Sequence, residues 1–456
     1  MYRSLILVVS CCVLLMVSNC SRETDELQTV VKGSITLADS IDQSDDFSGT
    51  ELLIFQKDSA NADADTLFYE TTDSTGYFEG TARFERARFY PLLITRNNNN
   101  VGRAQIILSH LDTVTVNATL PNISRTLTFE SHQHRALTVY RRVDRQFNKV
   151  AQFARQGAIA QDSLPAELNK WGTLFWEIYE RFPETIAGRL AASRSLDLTL
   201  NLDYDNAMEK VQMLTKGDKT LPIAASYGKR MIADSSGLKE SLRFLDSLRG
   251  LTKLKENLRQ LDRAKIQLLY DSAKVDEAEA LLSDFRETYT GNRNTKNWVD
   301  HIGYDLENLA PGDTLPNFSV TTIDGKQITR DSLRGSPFIM EIASLANDLY
   351  KQQYDRSLVV NQLYQTSNLQ FITLPLDPSQ VTIEAFFEAR GGVPWHVATA
   401  ESINETNILD RYNINQTPTR FVVDARGIIV KKLVGTEYED VIPYIRKTIT
   451  TKQENP

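Results

Sequence analysis

The sequence predicts a multidomain α+β protein with an N-terminal β-sandwich, a middle helical domain and a C-terminal α/β domain. Three observations carry this. Short β-branched and aromatic runs alternate with polar turns from Val30 to about Leu120. Apolar residues then recur at steps of three and four from about Leu127 to Leu309. Beyond a Pro-Gly break at Ala310–Asp313 the order becomes strand, helix, strand, then a hairpin and a last helix. The length of 456 residues suits about three ordinary domains. The expected boundaries are 1–19 for a targeting segment, 20–29 for a tether, 30–122 for the sandwich, 127–309 for the helices and 310–450 for the α/β domain. A composition of 41% hydrophobic and 24% charged residues is that of a folded soluble chain. The net charge of -8 argues against nucleic acid as the main partner, because duplex binding needs a basic footprint.

The first residues read as a signal. Arg3 supplies one positive charge, and Leu5 to Val17 is an apolar stretch of signal-peptide length, short for a spanning helix. It ends in Leu15-Met16-Val17-Ser18-Asn19-Cys20, which resembles a bacterial lipobox. That resemblance implies diacylglycerol and palmitate on Cys20, a new N-terminus there, and anchoring to a membrane. Ser21 after the cysteine, by the same resemblance, implies an outer-membrane lipoprotein facing the periplasm or the cell surface. The only cysteines are Cys11, Cys12 and Cys20. After such processing no free thiol and no disulfide remain.

In the β-rich stretch the runs are Val30–Leu37, Glu51–Phe55, Thr66–Tyr69, Leu92–Ile94, Gln105–Leu108 and Thr113–Ala118. Asp73-Ser74-Thr75-Gly76 is a turn feeding a further strand, and Asn97 to Asn100 is a polar turn. About seven short strands point to a small antiparallel sandwich. It carries no catalytic motif.

The helical stretch shows apolar stripes at Val139, Val143, Phe147, Val150 and Ala154, and at Leu238, Leu242, Leu245, Leu248 and Leu251. Gly237, Gly250 and Gly291 read as stops, and four to six helices are expected. Trp171, Phe175, Trp176 and Tyr179 form an aromatic stripe, read as core, or as a docking patch if exposed.

In the last third, Phe318–Thr322 and Lys326–Thr329 flank an Asp324-Gly325 turn. Phe338–Ala343 reads as the first central strand, Asn347–Tyr364 as a long helix and Leu369–Leu376 as a second buried strand. Thr382–Ala389 reads as a helix, Thr417–Val423 with Ile428–Lys432 as a hairpin, and Glu439–Thr448 as the last helix. With Pro316-Asn317-Phe318, Asp331-Ser332-Leu333-Arg334-Gly335, Gln416-Thr417-Pro418 and Asp424-Ala425-Arg426-Gly427, this order resembles the TlpA-like, redoxin-type branch of the thioredoxin-like superfamily. The layout of residues 30–120 likewise resembles the β-domain found before such domains in envelope lipoproteins.

The resemblance implies a Cys-x-x-Cys pair after the first central strand, yet the chain reads Ala343-Ser344-Leu345-Ala346-Asn347-Asp348-Leu349 there. Ala346 and Leu349 are the degenerate redox positions. Thiol–disulfide exchange and peroxidase chemistry both need a thiolate, and none is available. At the helix start Asn347-Asp348 offers free backbone N–H groups, and Asp348 is expected to supply the negative charge as an N-cap. Pro418 matches the family's cis-proline, which implies either retained peptide binding along Thr417-Pro418 or a turn that the fold alone requires. Trp395 matches the family's Pro-Trp loop and joins the candidate binding residues, while His396 reads as structural. Glu341, in an apolar strand near a buried acid of the family, is expected at the sheet edge in solvent.

His110, His132, His134, His301 and His396 make no metal-ligand set, His132-x-His134 being the nearest. No phosphate-binding loop, dinucleotide fingerprint or nucleophile elbow is present, and no cofactor is expected. The leading expectation is a non-enzymatic cell-envelope lipoprotein whose thioredoxin-like domain binds or scaffolds a protein or peptide partner. The alternatives are a TlpA-like thiol–disulfide oxidoreductase and a peptide- or glycan-binding protein using the cis-proline groove.

Overall fold

The structure is a computed structural model, and it describes residues 27–38, 46–56, 64–155, 158–160, 162–289, 293–404 and 407–450. Cys20, with the expected signal, lipidation site and start of the tether, lies outside the described residues, as does Gly291. The chain divides into two compact units, one ending at Ala207 and the other beginning at Met208.

In the first unit, seven strands run β1 (Leu27–Leu37), β2 (Thr50–Gln56), β3 (Asp65–Thr71), β4 (Tyr77–Phe84), β5 (Arg88–Arg96), β6 (Asn99–Leu108) and β7 (Asp112–Leu120). A single helical turn α1 (Ile123–Thr126) and a short strand β8 (Thr128–Glu130) follow. They form two four-stranded sheets, ordered β4-β1-β7-β8 and β3-β2-β5-β6. Along β1 and β7 every second residue is buried, so Val31, Ile35, Val114 and Val116 face a core shared with Leu52, Ile54 and Leu92 of the other sheet. The pairing is not wholly antiparallel, because β1 and β7 run parallel. Their close approach requires Gly33, where a Cβ would stand 1.8 Å from the Val116 carbonyl oxygen.

Helices α2 (His132–Arg155), α3 (Leu164–Arg181) and α4 (Ile186–Thr199) follow, with α5 (Tyr204–Leu214) across the division. Ile107 of β6 shares one core with Ala136, Phe147, Trp171 and Phe175, so the first helices are bound to the sandwich. The aromatic stripe is therefore core: Trp171, Phe175, Trp176 and Tyr179 are all buried. Both indole N–H groups are satisfied one turn away, by Glu167 at 2.8 Å and Glu180 at 3.0 Å.

The second unit holds α6 (Leu221–Ser236), α7 (Leu238–Gly250), α8 (Lys255–Asp271), α9 (Val275–Thr288) and α10 (Arg293–Asn308). Among the described residues nine helices thus span 132–308, against four to six expected. The additional breaks include a tight turn that carries no Gly or Pro mark, at Ala273 with φ 57°. Ala310–Asp313 is not a free linker. Gly312 N–H donates to Ile429 O at 2.8 Å, Ile429 N–H donates to Asp313 O at 2.8 Å, and Leu309 and Ala310 are buried.

The α/β domain opens with the hairpin β9 (Ser319–Thr321) and β10 (Gln327–Thr329), turning at Gly325. It continues with β11 (Phe338–Ala343), α11 (Asp348–Leu363), β12 (Gln370–Pro375) and α12 (Gln380–Glu388). Then come β13 (His396–Val397), α13 (Ala400–Asn404), α14 (Ile408–Arg411), β14 (Thr419–Val423), β15 (Ile429–Val434) and α15 (Val441–Thr450). The sheet order is β13-β12-β11-β14-β15, with β11 parallel to β12 and antiparallel to β14. Phe338, Met340 and Ile342 feed one face, while Ile339 and Ala343 feed the other, which packs on Tyr350, Tyr354 and Tyr438. Burial on both faces explains why the strand reads as an apolar run interrupted only by Glu341. This is a thioredoxin-like fold over about 30% of the chain.

Candidate functional site

The site is built where β11 hands over to α11 beside the loop before β14. Asn347, at φ -65° and ψ 123°, is the N-cap: its Oδ1 accepts from Leu349 N–H at 2.9 Å and Tyr350 N–H at 3.2 Å. The cap is therefore Asn347 and not Asp348. Asp348 points to solvent in the first turn and pairs with Lys351 at 3.1 Å. An amide does better here because it also donates: Asn347 Nδ2 reaches Thr417 O at 3.0 Å. Thr417–Pro418 is cis, and Pro418 O accepts from Gly435 N–H at 2.8 Å. The structure thus gathers Asn347, Thr417 and Pro418 in one place. Ala346 beside them is exposed and Leu349 is half-buried. Each backbone carbonyl of the cis pair is already bonded within the chain.

Glu341 does not lie in solvent at the sheet edge. It is fully buried in the middle of the sheet, opposite Thr373 on β12 and Arg420 on β14. Its Oε1 accepts from Arg420 Nε at 2.7 Å and from Ser357 Oγ at 2.9 Å, and its Oε2 accepts from Thr373 Oγ1 at 3.0 Å. Arg420, also fully buried, donates from Nη1 to Gln353 Oε1 at 2.7 Å, and its Cζ stands 3.7 Å from the Tyr438 ring centre. Gln353 Nε2 in turn donates to Gly435 O at 3.1 Å. On the other side Trp395 Nε1 donates to Thr373 Oγ1 at 2.9 Å.

One chain of polar contacts therefore runs Trp395, Thr373, Glu341, Arg420, Gln353, Gly435 and on to Pro418. Trp395 belongs to this interior and offers no binding face: it is buried, with Phe371 and Tyr354 at ring-centre distances of 5.3 and 5.7 Å. Burial pushes the hydroxyls of Tyr350 and Tyr438 above their ordinary values, and the Glu341 carboxylate adds to the push.

The flank of the site carries no signal in the sequence. A cleft of about 460 Å³ has Leu349, Gln416 and Glu437 on one wall and α8 and α10 on the other. The two walls are pinned through β15. Lys431 Nζ meets Asp271 at 2.5 Å, and Lys432 Nζ meets both Asp305 oxygens at 2.8 and 2.9 Å. Asn413 completes the clamp from Nδ2, donating to Asp305 Oδ1 at 2.7 Å and His301 O at 2.9 Å. Burial pushes Asp305 up and Lys432 down, and in each the facing partner works against the shift. Adjacent lysines on an edge strand serve both faces, because successive side chains point opposite ways.

His134 is a core residue rather than a ligand. Its Nε2 accepts from Ile107 N–H at 3.2 Å, its Nδ1 lies 3.0 Å from Ser131 Oγ, and its ring stacks on Phe129. Among the described residues no three His, Cys, Asp or Glu side chains are grouped to hold a metal ion. Among the same residues no helix is long and apolar enough to cross a membrane.

No family model matches the sequence. The chain is 23% identical over 144 residues to the thiol-disulfide oxidoreductase ResA of Bacillus cereus, covering 31% of this chain and 81% of that protein. It is 21% identical over 137 residues to ResA of Bacillus subtilis, covering 30% and 74%. Among solved structures, a putative thiol:disulfide interchange protein DsbE from Chlorobium tepidum covers 31% of this chain and 99% of its own, at 19% identity and a TM-score of 0.29. The thioredoxin domain of a thiol-disulfide oxidoreductase from Bacteroides vulgatus covers 30% and 99%, at 17% identity and a TM-score of 0.27.

Proposed function

We propose that this protein is a redox-silent member of a group of thioredoxin-like thiol–disulfide oxidoreductases, kept as a binding or scaffold module of the cell envelope. The observation that carries the reading is chemical. Every cysteine lies at or before position 20, and the start of α11 reads Ala346-Asn347-Asp348-Leu349. Exchange requires a thiolate to attack sulfur, and no other side chain substitutes for one. Two features of the interior support the same reading. Asn347 spends its amide on the helix cap and on Thr417 O, so the helix N-terminus is closed by a neutral group from within the chain. Arg420 Nε lies 2.7 Å from Glu341 Oε1, so this buried carboxylate is committed to an ion pair within the domain. Lipid on Cys20 would place the module on the outer membrane, facing the periplasm or the surface, where it meets a protein or peptide partner.

The oxidoreductase reading is favoured by the names of the relatives. Reduction of insulin disulfides by dithiothreitol separates the two. The protein spanning residues 21–456 should give no turnover above the blank, as should its peroxidase assay with hydrogen peroxide. Turnover that scales with protein concentration would overturn the redox-silent reading.

A further inference from the structure

The cleft beside Leu349 continues into a second lobe of about 580 Å³, and the two share Arg263, Gln267, Trp298 and Glu437. Both lobes lie within the second unit. Together they have the size range of small-ligand sites. Most charges along them are matched in place. Arg259 pairs with Glu256 and bonds Thr295, Lys432 holds Asp305, and Lys431 holds Asp271. Two cations are not matched. Among the described residues, neither Lys229 of α6 nor Arg263 of α8 has a direct hydrogen bond or ion pair from its charged head. Arg263 lies over the Trp298 ring at 4.7 Å from its centre. The remaining lining carboxylate, Glu437, accepts from Val434 N–H at 2.8 Å and so is partly used by its own turn. With Asp271 held by Lys431 from outside the linings, Glu437 is the one lining carboxylate left to face both cations. Lys229 is half-buried, and burial pushes its ammonium down from the ordinary value, with Asp271 and Glu437 pulling the other way.

We propose that this cleft binds a carboxylate ligand with an apolar ring or chain, its charge taken by Lys229 and Arg263 and its apolar part laid on Trp298 and Phe285. Guanidinium and ammonium groups recognise a carboxylate through charge-assisted hydrogen bonds, and an aromatic floor supplies contact area. The C-terminus of a peptide and a free aryl acid share this chemistry. The assignment names the ligand class of the binding module proposed above and rests on that reading only for the cleft's being a binding site.

Isothermal titration of residues 21–456 tests it with three probes: acetyl-Ala-Ala-Phe with a free C-terminal carboxylate, the same peptide as its amide, and 3-phenylpropanoate. The free-acid peptide should bind, the amide about tenfold more weakly, and the affinity should fall with added salt. Lys229→Met and Arg263→Gln should each weaken binding about tenfold. Circular dichroism melting checks that each variant is folded, and Arg263 is exposed, so its variant keeps the test open if Lys229→Met does not fold. Binding of 3-phenylpropanoate as tightly as the peptide assigns the site to small organic acids; weaker binding assigns it to peptide termini. Equal affinity for acid and amide, or no heat from any probe at millimolar concentration, overturns the proposal. That failure leaves the outcome of the insulin assay untouched, and turnover in the insulin assay would leave the cleft standing.

Discussion

Glu341 and Arg420 form the contact whose removal is most informative, because both side chains are fully buried and lie 2.7 Å apart. Arg420→Met leaves a lone carboxylate in the sheet with only Ser357 and Thr373 as donors. Glu341→Leu leaves a lone guanidinium. Breaking a buried pair from one side costs about 3–5 kcal/mol. At about 2–4 °C per kcal/mol for a unit of this size, each single variant should lower the transition of the second unit by roughly 6–20 °C. Replacing both residues removes the uncompensated charge. The remaining loss is then the partners left behind, at about 1 kcal/mol for each hydrogen bond not remade. The double variant should therefore be more stable than either single one, with a coupling energy of at least about 2 kcal/mol. Scanning calorimetry reads the shift of the melting transition, and guanidinium titration followed by near-ultraviolet dichroism gives the free energies. Loss of less than about 1 kcal/mol in Arg420→Met, or a double variant worse than both single ones, would refute a dry, paired interior here.

Asn347→Ala should cost about 1–2 kcal/mol by removing the cap of α11 and the tie to Thr417 O, whereas Asn347→Asp keeps the cap and loses only the tie; thermal melts of the two should separate these contributions. Burial, with Arg141 adding, pushes His134 down to about 4, so the folded first unit resists its protonation. Its contribution of about 3 kcal/mol should be whole above pH 6.5 and lost as pH falls toward 4; His134→Gln should flatten that part of the stability profile measured by urea titration at fixed pH. Lys432→Met should leave Asp305 held by Asn413 alone and lower the melting point of the second unit, while Asp305→Asn with Lys432→Met should recover part of it. Cells fed an alkynyl palmitate should label the full chain and not its Cys20→Ser variant, and labelling of both would remove the lipid anchor.

The α/β elements are legible in the sequence because their cause is local. β11 is buried on both faces and so reads as an apolar run broken only at Glu341, Asp324-Gly325 marks the turn between β9 and β10, and α11 starts at an Asn whose side chain closes the first turn. Glu341 is misplaced by sequence reading for the opposite reason. A single acid in an apolar strand says nothing about its partner, and Arg420 lies 79 residues further on. Only the antiparallel register of β14 sets the two opposite each other. Aligning the one charged residue of each central strand would have been enough to find the pair.

The helices show a further limit of sequence reading. A stripe such as Leu238, Leu242 and Leu245 states which face is buried and is silent on what covers it. The same apolar period serves α2 to α4, whose core includes Ile107 of the sandwich, and α8 to α10, whose core ends at Ala310 beside the thioredoxin-like sheet. What distinguishes the second group is polar. Asp271 in the last turn of α8 and Asp305 in the last turn of α10 are met by Lys431 and Lys432 from an edge strand. Edge strands must be covered or charged to avoid pairing with other chains, and here one device does both. The lysines discourage a further strand and recruit two helices. Those helices make the second wall of the cleft beside Leu349 and Gln416, so the covering of the sheet edge and the shaping of the candidate site are one structural event.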